Sequence, residues 1–129
     1  MPPTRLPENE VRRRRPLWIA LSDLWLDQEL TEDDLWRVAR VAAASGYSDD
    51  EVAHIHWHEV APVVAGNLLA PIGVWSGFDE DWLCERAAQL AGRPTPRLNL
   101  TRWWAGRLIA SDWRRLLELL PLARAESPS

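Results

Sequence analysis

Apolar residues recur three and four positions apart over most of the chain, and no segment alternates with a period of two. That spacing predicts helices and no strands. Trp18, Leu21, Leu24 and Trp25 make one such stripe, in a helix that starts at Pro16, a favoured first helical residue. Three later helix starts share one logic. Thr31, Ser48 and Asp79 are capping residues, and each is followed by acids in the first turn. An apolar residue precedes each cap and another comes four positions after it, the pattern of a hydrophobic staple. Ser48 with Glu51 also forms a capping box. The helices so begun are expected at about 32–45, 49–61 and 80–91, ended by Gly46, Pro62 and Gly92.

Residues 8–15 can add a turn of helix, because Glu8 with Arg12 and Glu10 with Arg14 are favourable pairs four apart. Residues 98–120 are helical in pattern, with a restart at Ser111-Asp112 and a stop at Pro121. The apolar run 60–75 is broken by Pro62, Gly66, Asn67, Pro71 and Gly73. It is too short to span a bilayer and reads as an irregular buried central segment. The expectation is an all-α, single compact domain of five or six helices around that segment. A basic N-terminal arm (1–15) precedes the helical domain (16–121), and a flexible tail (122–129) comes after it.

Composition agrees with this picture. A chain of 129 residues, 47% of them hydrophobic, is long enough for one core without staples and too apolar for disorder. The lone Cys84 excludes a disulfide framework and fits a reducing compartment. The N-terminus has no apolar stretch of the secretory kind, so a cytoplasmic protein is expected.

Charge adds something the hydrophobic pattern does not show: it is sorted by position. Residues 1–15 carry five Arg against two Glu, a balance of +3. Residues 16–92 carry three Arg against fourteen acids, −11, and residues 93–129 carry seven Arg against three acids, +4. All the basic residues are Arg, which pairs bidentately with carboxylates. Eight central acids sit in first turns and Asp79 is a cap, where the helix dipole accounts for them. Asp23, Asp27, Glu29, Glu59 and Glu85 have no such local cause. Either the basic ends meet the acidic middle, or the middle is a docking face. The run Arg12 to Arg15 would suggest nucleic acid in a basic protein, but the −11 segment beside it repels phosphate.

Nine of the aromatics are Trp, many for one small core. A Trp left half exposed beside acids has the composition of a protein-binding hot spot. Trp36 and Trp57 are the candidates, since each lies off the main stripe of its helix. The histidines cluster in His54-Ile55-His56-Trp57-His58-Glu59. On a helix, His56 and Glu59 share the inner face with Val52, Ile55 and Val60, while Glu51, His54 and His58 share the outer face. The outer trio has spacing compatible with a metal, but its remaining ligand would have to come from Cys84 or an acid. The inner pair reads as a buried polar pair. No nucleophile motif, phosphate-cradling loop or Cys-rich zinc pattern accompanies it. No cofactor, no metal and no catalytic residue is expected, and the chain reads as a non-enzyme.

Three blocks carry a family resemblance. They are Ala20-Leu21-Ser22-Asp23-Leu24-Trp25-Leu26-Asp27 with Glu29-Leu30, then Glu59-Val60-Ala61-Pro62-Val63-Val64 with Asn67-Leu68-Leu69, and Gly73-Val74-Trp75-Ser76-Gly77-Phe78-Asp79. Over roughly residues 12–92 the chain resembles a family of small uncharacterised bacterial proteins. The resemblance implies a stand-alone bacterial domain and carries no activity with it. From the residues themselves the expected function is a non-enzymatic protein-binding module. Its concrete form is an immunity- or antitoxin-type protein that presents Asp23, Asp27, Glu29, Trp36, Trp57, His54 and His58 to a basic protein partner. The alternatives are a metal- or small-ligand-binding protein using the His54/His58 helix, or a self-associating structural domain. Neither nucleic acid nor membrane is expected as a partner.

Overall fold

Helix starts encoded by local side chains are the firmest part of the architecture. The computed structural model describes residues 6–26, 30–68, 80–91 and 107–126. Thr31 caps helix α2 (Glu32–Ala44): its hydroxyl accepts from the Asp34 N–H, and the Asp34 carboxylate accepts from the Thr31 N–H. Ser48 and Glu51 make the same reciprocal box at the start of α3 (Asp49–Ile55). The staples are in place, with Leu35, Tyr47 and Val52 buried and Leu30 packed on the core. The third cap, Asp79, lies outside the described residues, but α5 (Glu80–Ala91) begins directly after it. Gly46 ends α2 with φ of 80°, a conformation that glycine adopts without strain.

The prolines do not act as the sequence suggests. Helix α1 runs Glu8–Leu26 with Pro16 inside it, so it starts eight residues before that proline. Its first turns are tethered from outside: Arg13 donates to the Ser45 carbonyl, Arg14 to Glu59 and Arg15 to Asp81. Pro16 lies on the exposed side of the helix. At the other end, a 3₁₀ turn (Arg107–Ile109) leads into α6 (Ala110–Glu126), which passes through Pro121. Its last turn is held by buried Ala123 and by Arg124, which reaches Asp49 and the Tyr47 carbonyl.

Pro62 also fails to end its helix. Between α3 and α4 (Ala61–Leu68) the chain makes a π turn over His56–Val60, closed by a bond from the Ala61 N–H to the His56 carbonyl. Proline lacks an N–H, and its ring conflicts with the carbonyl four residues back. A wider turn at that place lets the chain continue past it. The front of the 60–75 apolar run is therefore regular helix, and residues 69–79 lie outside the described residues.

Counting α3, the π turn and α4 as one rod, five helical rods form a single all-α domain with no strand among the described residues. Helices α2 and α6 pack along each other most extensively, burying Leu35, Val38, Ala39 and Ala42 and Leu116, Leu119, Leu120 and Ala123 in the core. Helix α1 supplies Leu17, Trp18, Leu21, Leu24 and Trp25, and contacts α2, α4, α5 and the π turn. The π turn thus sits at the centre of the α1, α4 and α5 packing. Among the described residues no helix is long and apolar enough to cross a membrane.

Candidate functional site

The π turn holds two of the three buried polar side chains among the described residues, His56 at 0% and Glu59 at 1% exposure. The turn buries His56, Glu59 and Val60 beside Ile55, on the face that the helical spacing already turned inward. The two polar groups do not bond each other. Each accepts an indole N–H from α1: Trp18 donates to Glu59 Oε1 at 2.8 Å, and Trp25 donates to His56 Nε2 at 3.0 Å. Trp18 and Trp25 are two turns apart on one helix face, so α1 clamps the turn at two points.

Arg14 completes the Glu59 site. Its Nη1 donates to Glu59 Oε2 at 2.5 Å, and its Nε donates to Tyr47 Oη at 3.2 Å and to Glu10 Oε2 at 3.3 Å. The Tyr47 hydroxyl in turn donates to Glu10 at 2.8 Å, and Arg13 lies over the Tyr47 ring at 4.1 Å. Burial pushes the Glu59 carboxyl above the ordinary carboxylate range, outweighing the pull of the Trp18 N–H and of Arg14. Burial works against the Arg14 charge, but Glu59 and the Tyr47 hydroxyl outweigh it and hold the guanidinium firmly protonated. The hydrogen bond from Tyr47 lowers the Glu10 carboxyl, and burial raises the Tyr47 phenol.

His56 is packed in an aromatic cluster. Its ring stacks on Trp113 of α6, with centroids 4.3 Å apart and planes 16° apart, and meets Trp57 edge-on at 4.3 Å. Trp57 stands edge-on to both Trp25 and Trp113, at 6.4 and 5.6 Å, and is half-buried at the margin of the core. On the outer side the His54 and His58 rings lie 4.3 Å apart. His54, Asp50, Glu51, Ile55, Tyr47 and Arg14 line a shallow recess of about 210 Å³.

The chemistry open to this arrangement is limited. Glu59 and His56 are buried, with Glu59 accepting from Trp18 and Arg14 and His56 Nε2 accepting from Trp25. Ser22 is buried and donates to the Ile19 carbonyl, and burial pushes the Cys84 thiol up, away from the reactive thiolate. The Glu51 carboxylate serves the capping box, and among the described residues no three His, Cys, Asp or Glu side chains gather around a possible metal position. On the outer side of this rod, Asp50, Glu51 and His54 are exposed, and Trp57 and His58 are half-buried.

The other residues singled out by sequence fall elsewhere. Asp23 faces Arg37 at 3.7 Å, and Trp36 lies on the α2 surface with Arg40 5.3 Å over its ring. Asp27 and Glu29 lie outside the described residues. Asp23 and Trp36 thus meet different arginines of α2, the His54 and His58 rings meet each other, and Trp57 meets Trp25, His56 and Trp113. Sequence reasoning did not find the roles of Arg14, Trp18, Trp25 and Trp113. Arg14, Trp18 and Trp25 share one helical face, a visible signal, but only if α1 passes through Pro16. It also missed the exposed Trp82, 41% accessible on α5, with Arg86 6.0 Å over its ring.

The charge sorting is met in part within the molecule. Arg14 and Arg15 from the first segment pair with Glu59 and Asp81, and Arg115 and Arg124 from the last pair with Glu32 and Asp49. Arg40 and Glu126 add a further link between α2 and α6 at 3.5 Å.

No curated protein and no solved structure matches the chain. A family model does, and it spans both the α1 clamp and the π turn that receives it. By that match over residues 12–119, the chain belongs to the family defined by the domain of unknown function DUF7079.

Proposed function

We propose that the protein is a non-enzymatic protein-binding module whose contact surface is the outer side of α3 and the π turn. The observation that carries this reading is Trp57, half-buried against Trp25 and Trp113 and flanked in sequence by His56 and His58. A Trp braced from behind by other aromatics loses little freedom on binding, which is how hot-spot residues supply affinity. Asp50 and Glu51 on the same rod give the surface an acidic side, and the chain's net charge of −4 favours a basic partner. Four of the central acids are already matched by Arg from the chain ends, so the reading rests on the aromatic anchor more than on net charge. Its most concrete form is a bacterial, cytoplasmic immunity- or antitoxin-type protein that covers a basic partner.

The test is affinity capture from the native host, followed by binding measurements with the purified partner. The reading expects a basic partner whose affinity falls about tenfold or more with Trp57→Ala. It also expects weaker losses with His54→Ala and His58→Ala, and an association rate that drops with added salt. A partner whose binding ignores all three substitutions would sink it. Circular dichroism of each variant separates loss of contact from loss of fold.

A further inference from the structure

An indole N–H can only donate a hydrogen bond. The 3.0 Å contact from Trp25 Nε1 to His56 Nε2 therefore requires a bare lone pair on Nε2. The folded state accepts His56 only as the neutral imidazole with its proton on Nδ1. A second proton would set N–H against N–H inside the core, where both residues are buried. The same proton would strengthen the attraction of the ring to Trp113, whose face it already stacks on at 4.3 Å.

We propose that His56 is a proton-operated latch between helices: neutral, it ties the π turn to Trp25 of α1, and protonated it releases that tie and holds to Trp113 of α6. Burial and the Trp25 N–H both favour the neutral ring, so the latch is closed near neutral pH and opens on acidification. Trp57 touches Trp25, His56 and Trp113 at once, so the change would be felt at the half-buried indole on the surface. Among the described residues, the titratable and charged groups around the turn come from several elements. The turn itself has Glu59 and His58, and α3 brings His54 and, in its first turn, Asp49, Asp50 and Glu51. From α1 comes Arg14, which already meets Glu59. Helix α4 has no titratable residue, α5 turns Cys84 inward as a neutral thiol, and α6 carries Asp112 and Arg114 on either side of Trp113 in sequence. The latch stands on this hydrogen bond alone and does not depend on the docking reading.

Long-range ¹H–¹⁵N correlation spectra of the full chain report the tautomer directly. The expected result near neutral pH is Nδ1–H for His56; an Nε2–H tautomer would overturn the proposal. Near-ultraviolet circular dichroism, followed from about pH 8 to about pH 5, should show a single-proton transition in the wild type. His56→Gln keeps an acceptor for Trp25 at every pH and should lose that transition, while His54→Gln and His58→Gln should keep it. A transition that survives His56→Gln, or a wild type with none, would also overturn it. If His56→Gln fails to fold, Trp25→Phe serves instead: without the indole donor, His56 should take up its proton at a higher pH than in the wild type. An unchanged midpoint there counts against the latch.

Discussion

Arg14 Nη1 donates to the buried carboxylate of Glu59 across 2.5 Å, although the two residues lie 45 positions apart in the chain. The bond joins the basic start of the sequence to its acidic middle at the centre of the fold. Glu59 is almost fully buried and Arg14 mostly so, which makes this pair costly to break on one side. Arg14→Met should destabilise the protein by about 3 kcal/mol, because it leaves a buried carboxylate without its counter-charge. Arg14→Met combined with Glu59→Gln should recover part of the loss, since the carboxamide oxygen still accepts from Trp18. Urea unfolding of the two variants decides it; a double variant no more stable than Arg14→Met argues that packing, not charge, is what Arg14 supplies.

The same pair has a pH signature of definite sign. Burial raises the Glu59 carboxyl in the folded state above its ordinary value of 4.5. Between the two values the folded chain holds a proton that the unfolded chain has released, so stability falls as pH rises through that window. Glu59→Gln cannot ionise. The stability of the wild type relative to Glu59→Gln should therefore decline from about pH 4.5 upward and then level off. A relative stability that climbs over that range would reverse the assignment.

The helix starts carry the opposite sign. The Ser48 N–H and hydroxyl hold the Glu51 carboxyl below its ordinary range, and the Thr31 N–H and hydroxyl do the same for Asp34. Their stabilisation is complete above the unfolded values and is lost as pH falls through the lowered folded ones. Ser48→Ala and Thr31→Ala should each cost about 1 kcal/mol near neutral pH. The caps share no partner, so the double variant should lose close to the sum. Chemical denaturation at neutral and acid pH checks both statements, and a cap variant that loses as much stability near pH 3 as at pH 7 would contradict the second.

The seam between α2 and α6 combines an apolar core with exposed ion pairs, and the two contribute unequally. Leu119 is fully buried there, and Leu119→Ala should cost about 3 kcal/mol through lost contacts and a residual cavity. Arg115 and Glu32 meet at the exposed edge of the same seam. Salt screens such pairs and their net contribution is small. Thermal melts should show a large drop for Leu119→Ala and little change for Arg115→Gln. A melting temperature that falls steeply in 1 M salt would show that the exposed pairs matter more than this.

Gly46 tests the C-terminal stop of α2. Its φ of 80° disfavours any residue with a Cβ, and an added Cβ would stand 3.3 Å from Arg13 Nη2. Gly46→Ala should destabilise by about 1 kcal/mol, measured by urea unfolding. An unchanged midpoint would mean that the turn relaxes without cost.

Much of the fold could be read in the sequence, because the signals are local. Thr31, Ser48 and Gly46 act on backbone groups within a few residues, and the spacing of Val52, Ile55, His56, Glu59 and Val60 sets an inward face whatever the partner helix. The all-α class comes from that spacing, and so does the inward aim of two polar side chains. Only the tertiary structure decided what answers them. Helices α1 and α6 run through Pro16 and Pro121 because long-range contacts, such as Arg14 to Glu59 and Arg124 to Asp49, hold their ends against the local penalty. Once α1 continues back to Glu8, Arg14 falls on the same face as Trp18 and Trp25, and all three reach the π turn. The sorted charge was plain from the chain, but whether it pairs or faces solvent depends on which helices become neighbours. Caps and periodicity act within one helix; the packing of the whole chain brought Arg14 to Glu59 and Trp25 to His56.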